Sequence, residues 1–196
     1  MSLFGASTLL LFTWTLLGCV SQQHVAASNF PQVTLNPSDA TYMIDGRSIT
    51  LEGGRATIEA FPNAASKTLI EVFGEPVNGD LDGDGVPDSA VLLVETTGGS
   101  GTFYHVAAAF NQNGHYTGTR SVLLGDRIVP QQLSIRYGIV IVDYADRRPG
   151  EAMATAPSQK VSKYLAARAG QLEEIPLAEG EVIAAGKVVI GHEVRA

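Results

Sequence analysis

Asp45-Gly46 stands between two runs of strand formers, Tyr42-Met43-Ile44 and Ser48-Ile49-Thr50-Leu51. A connection this short folds the chain back on itself as an antiparallel hairpin, because the primed two-residue turns need residues that tolerate positive φ, as Asp and Gly do. Gly53-Gly54 then turns the chain into Ala56-Thr57-Ile58-Glu59. Beyond that point the same rhythm continues, and apolar residues at helical spacing are hard to find. Further strands are expected at 68–73, 90–96, 102–110, 121–124, 132–136, 139–144 and 161–166, with a weaker last pair at 181–184 and 188–190. Leu133-Ser134-Ile135-Arg136 alternates as a strand with one wet face does. Ile139-Val140-Ile141-Val142 is continuously apolar and reads as a central strand buried on both faces. The expected fold is all-β, a sandwich or barrel-like antiparallel sheet. The alternative is a small α+β domain with a helix over 64–72 or 160–169.

Charge placement narrows the choice of partner. The chain carries 13 Lys and Arg against 20 Asp and Glu, a net −7. No Lys or Arg occurs between Lys67 and Arg120, a window holding Glu71, Glu75, Asp80, Asp82, Asp84, Asp88 and Glu95. Outside that window acids and bases balance, so the whole excess sits there. Nucleic acid is a poor partner for such a chain, since no basic face can neutralise phosphates. A cation is the natural one.

The N-terminus points to export. Residues 3–18 are apolar or small and uncharged, too short for a membrane span of about 20 residues but suited to the hydrophobic core of a signal peptide. The run ends in Leu16-Leu17-Gly18-Cys19, at the only cysteine of the chain. This segment resembles the lipobox of bacterial lipoproteins. The resemblance implies cleavage before Cys19, lipid on that cysteine, attachment to a membrane of the cell envelope and, with no Asp after Cys19, the outer membrane of a Gram-negative cell. Residues 1–18 are then a signal peptide, 19–38 a lipidated cysteine and a tether rich in Ser, Gln, Ala, Asn and Pro, and 39–196 a single β-rich domain. With one cysteine there is no disulfide framework, so an exported domain relies on its core and on any bound metal.

The one motif with chemistry in it is Asp80-Leu81-Asp82-Gly83-Asp84-Gly85-Val86-Pro87-Asp88. Carboxylates fall at loop positions 1, 3, 5 and 9 with glycine at 6, so alternate side chains of a tight turn can aim oxygens inward at an ion that takes 6 to 8 of them. The spacing resembles the calcium loop shared by EF-hands, dockerins and FG-GAP repeats. It implies calcium held by Asp80, Asp82, Asp84, the backbone carbonyl of Val86, and Asp88. Val91 occupies the twelfth position, where an EF-hand carries a bidentate Glu, and Pro87 lacks the N–H that pairs EF-hand loops. The strand formers Ala90-Val91-Leu92-Leu93-Val94 that follow fit the loop-then-strand order of FG-GAP sites better.

No catalytic constellation stands out. Gly98-Gly99-Ser100-Gly101 lacks the Lys-Ser/Thr of a phosphate loop and reads as a hairpin turn. His105 and His115, ten residues apart, have no ligand-like spacing and read as partly buried or surface imidazoles. No serine stands in a nucleophile elbow. The long connection 146–159 is a candidate contact surface. The expected role is binding or envelope support, with a small ligand or another envelope protein as partner. The rival readings are a metal-assisted envelope hydrolase and an inhibitor of another envelope protein.

Overall fold

The computed structural model describes residues 36–60 and 66–176, and the backbone of two further strands at 181–184 and 187–190. The lipobox, Cys19 and most of the expected tether lie outside the described residues. Asn36 caps a short 3₁₀ turn, Pro37–Asp39, by accepting the Ser38 amide at 2.9 Å. Pro37 is buried, and its carbonyl accepts the Tyr42 hydroxyl at 2.6 Å.

The protein is all-β, with antiparallel sheets packed in a sandwich-like arrangement, and no α-helix occurs among the described residues. The first hairpin joins β1 (Thr41–Ile44) to β2 (Arg47–Thr50). Its turn is the one the sequence predicts, with positive φ at both Asp45 (47°) and Gly46 (77°). A seven-stranded sheet holds β3 (Arg55–Glu59), β4 (Lys67–Val72), β5 (Val77–Gly79), β6 (Asp88–Thr97), β7 (Thr102–Gln112), β8 (His115–Gly118) and β9 (Val122–Asp126). The long pair β6–β7 is its spine, and each spine strand has a split edge. On β6, β5 covers the start and β4 the end; on β7, β9 covers the start and β8 the end. A four-stranded sheet follows from β10 (Val129–Arg136), β11 (Ile139–Asp146), β12 (Gln159–Arg168) and β13 (Gln171–Glu174). The last strands, β14 (Glu181–Ala184) and β15 (Lys187–Ile190), pair with each other.

Side-chain alternation divides the spine between two cores. Ala90 and Leu92 of β6 with Val106, Ala108 and Phe110 of β7 face the second sheet and pack with Val140, Val142, Tyr144, Leu165 and Leu172. The intervening Val91, Leu93, Ala107 and Ala109 face the other way, against Tyr42, Ile44 and Ile49 of the first hairpin and Ile70 of β4. The larger of these side chains, Ile44, Ile49, Ile70, Val91 and Leu93, contribute about 1.5–3 kcal/mol each when fully buried, so the hairpin is held by its own core as well as by hydrogen bonds from Met43 to Thr119 and from Ser121 to Met43.

Two expectations need correcting. The strands buried on both faces over most of their length are β6 and β7, whereas the run 139–142, on an interior strand as expected, buries Ile139, Val140 and Val142 but leaves Ile141 half-exposed. The helices allowed at 64–72 and 160–169 are absent: β4 and β12 occupy the described parts of those stretches, each paired on both sides. β5, β8 and β13, four residues or fewer, had no run long enough to read.

Candidate functional site

Among the described residues two groups of three side chains bring possible metal-ligand atoms within 4.8 Å of one another. One is the acidic loop foreseen from sequence. The other is Asp45, Glu95 and His105, far apart in the chain.

The acidic loop connects β5 to β6 and packs on the second sheet. Gly79 sits so close to β10 that a Cβ there would come within 2.7 Å of Ile135, and the loop carbonyls of Asp80 and Leu81 lie over Gly138 in the β10–β11 turn. Leu81 points into the core shared by the sheets. Asp80, Asp82 and Asp88 form the group whose oxygens converge. Asp80 accepts the amides of Gly83 (2.7 Å) and Gly85 (3.1 Å), and Asp82 accepts that of Asp84 (3.2 Å). Asp84 lies outside the converging trio, its carboxylate accepting the Val86 amide at 2.7 Å. Val86 is exposed at the tip, and Gly85 takes the positive φ, 83°, expected of the sixth position.

Asp88 differs from the others in being buried. It accepts two backbone amides at 2.9 Å, Leu81 from the loop and Asn111 from β7. Burial pushes its carboxyl above the usual carboxylate range; the two amides pull it down, and the charges of Asp82 and Asp84 push it up again. The loop therefore gathers negative charge around a partly desolvated carboxylate, and a cation would relieve that repulsion. A groove of about 650 Å³ runs beside it, lined by Asp80, Asp82, Tyr137, Gly138 and Ala166.

The second group was missed because its members come together only through pairing. Glu95 on β6 and His105 on β7 share a sheet face and are diagonal neighbours, since His105 stands opposite Leu93. The first hairpin lies across that face and brings the carboxylate of Asp45 to them from its turn. His105 is 1% exposed and Glu95 3%. Glu95 Oε1 accepts from Arg47 Nη2 at 2.8 Å, and His105 Nδ1 is 3.2 Å from the Ser121 hydroxyl. The remaining atoms, Glu95 Oε2 and His105 Nε2, have no hydrogen-bond partner and face each other at 3.6 Å. A buried polar atom left unsatisfied costs about 1–3 kcal/mol, so two in mutual contact are an exception that calls for a reason. Burial lowers the His105 pKa, opposed by the charges of Asp45 and Glu95, which favours the neutral imidazole. Glu95, Asp45 and Arg47 also line a cavity of about 680 Å³, together with Thr68, Thr97 and Gly98. The sequence signals for this group were Glu95, an acidic residue inside an expected strand, and His105, whose spacing from His115 gave no ligand pattern and which is buried rather than at the surface.

No family model, curated protein or solved structure matches the chain. What fold and sites define is an all-β protein with acidic side chains that could hold a metal ion.

Proposed function

We propose that this protein is a lipid-anchored extracytoplasmic β domain with a binding or envelope-support role, in which the loop from Asp80 to Asp88 holds a structural calcium ion. The observation that carries the reading is the convergence of Asp80, Asp82 and Asp88 at a point where the loop bears on the second sheet. An ion there would tie the β5–β6 connection to the sandwich core through Leu81 and Asp88. Calcium suits the site because every donor is a hard oxygen and the loop is short, exposed and able to adapt, whereas magnesium demands a tighter octahedron. The close packing of the loop on the second sheet, at Gly79 against Ile135 and over Gly138, favours a structural ion over a catalytic one.

Anchoring rests on Leu16-Leu17-Gly18-Cys19. Its test is fractionation of bacterial cells making the wild type or Cys19→Ser, with intact-mass analysis of the product. Wild-type protein in the membrane fraction, carrying lipid on Cys19, is expected, and the variant should be released or left unprocessed. An unmodified Cys19, or cleavage elsewhere, overturns the anchor. Equilibrium calcium binding by wild type and Asp80→Asn tests the loop independently of location.

A further inference from the structure

We infer that Asp45, Glu95 and His105 form a second metal site, for a zinc-class divalent ion, with an open position facing the cavity beside it. The site is distinct from the acidic loop and does not depend on calcium binding there.

The two unpartnered atoms set the geometry. Donors about 2.0–2.1 Å from a tetrahedral ion stand roughly 3.4 Å apart, and His105 Nε2 and Glu95 Oε2 are 3.6 Å apart. That separation is too long for a hydrogen bond between them and right for one ion touching both. Each of the two side chains is already fixed by its other end. Arg47 holds Glu95 Oε1 and Ser121 meets His105 Nδ1, the outer contacts that orient metal ligands. In the tautomer that donates Nδ1–H to Ser121, the Nε2 lone pair is directed at the carboxylate, a repulsion that a cation between them relieves.

Asp45 supplies the third ligand. It offers a carboxylate oxygen within 4.8 Å of ligand atoms of both Glu95 and His105, and an exposed residue at a hairpin tip can move in to close the site. The charges fit as well. Two carboxylates and Arg47 leave one net negative charge around a neutral imidazole, so a divalent ion leaves one net positive charge, suited to water or a small anion at the fourth position. Glu95, Asp45 and Arg47 all line the cavity of about 680 Å³, so that position opens towards space large enough for a ligand. The donor set selects the ion class: imidazole with two carboxylates suits zinc and its neighbours, while calcium asks for 6 to 8 oxygens.

The test is titration calorimetry of the metal-free full-length chain with Zn²⁺ in millimolar calcium, paired with Co²⁺ absorption as a report of four-coordination. The variants are Asp45→Asn, Glu95→Gln, His105→Gln and Asp80→Asn, with circular dichroism as the folding control. Asparagine tolerates the positive φ of position 45, so Asp45→Asn keeps the turn and decides the matter even if a buried variant fails to fold. Wild type should bind one equivalent of zinc at this site and give tetrahedral Co²⁺ bands. Contacts outside the ligand set are worth about 10- to 100-fold in affinity, so Asp45→Asn should weaken zinc by at least about tenfold. Folded Glu95→Gln or His105→Gln should abolish binding, and Asp80→Asn should leave it unchanged. Absence of saturable zinc binding by wild type, unaltered affinity in Asp45→Asn, or equal loss in Asp80→Asn would each overturn the inference.

Discussion

Asp88 accepts the Leu81 and Asn111 amides, one on each carboxylate oxygen and each at 2.9 Å, and so fastens the acidic loop to the spine of the large sheet. This places the ninth loop position in the fold itself as well as beside the candidate ion. Asp88→Asn would turn an NH₂ group towards one of those amides and leave a buried donor facing a donor. A loss of about 1–3 kcal/mol is expected in urea unfolding with chelator present. The exposed Asp82→Asn should cost little under the same conditions. Equal stability of Asp88→Asn and wild type without calcium would contradict the fastening role.

The first hairpin approaches β8 closely at Gly118. A Cβ there would collide with the Thr41 carbonyl and come within 2.7 Å of the Tyr42 ring. Tyr42 is fully buried and pinned to Pro37, so neither neighbour can yield cheaply. Gly118→Ala should cost about 1–3 kcal/mol of stability by overpacking. Hydrogen exchange should show the added opening at Met43 and Ser121, whose amides tie the hairpin to the strand ends. Unchanged exchange there would contradict the close approach.

Two buried tyrosines set the alkaline limit of the fold. Burial pushes the Tyr144 hydroxyl up to about 12, helped by the charges of Asp146 and Glu174, and burial raises Tyr42 as well. A phenol whose folded pKa lies above its unfolded value of 10 stabilises the fold fully below pH 10 and loses that contribution as pH rises towards 12. The urea midpoint should fall steadily across that interval. Tyrosinate absorbance should show part of the six tyrosines titrating late, and together with unfolding. Titration of all six near pH 10 without loss of structure would contradict this.

How much of this was legible in the chain depends on how far apart the interacting residues lie. Asp45-Gly46 declares its turn locally, because two adjacent residues must both take positive φ. The acidic loop is equally local: Asp80, Asp82 and Asp88 converge within one tight segment, so spacing alone pointed to it. Apolar runs showed where strands fall but not how many faces are covered. The run at 139–142 and β6 are both apolar, and only packing of the first hairpin onto β6 and β7 gives that pair a second buried face. For the same reason Glu95 and His105 were unreadable as a pair, since their meeting needs the β6–β7 register and the hairpin laid over it.

The central claim, a calcium ion closing the acidic loop, is tested most directly by the melting temperature of the full-length protein in chelator and in calcium. A site lacking the bidentate Glu should be weak, with Kd about 10⁻⁴–10⁻³ M. At about ten times the Kd, binding to the folded state alone adds about 1.4 kcal/mol, roughly 3–6 °C for a domain of this size. Wild type should gain that shift with calcium, gain much less with magnesium, and lose it in Asp82→Asn, which keeps the Asx turn to Asp84 but removes a charged ligand. A wild-type melting temperature unmoved between chelator and about 10 mM calcium would contradict the account and leave Asp80 to Asp88 as a turn held by its own hydrogen bonds.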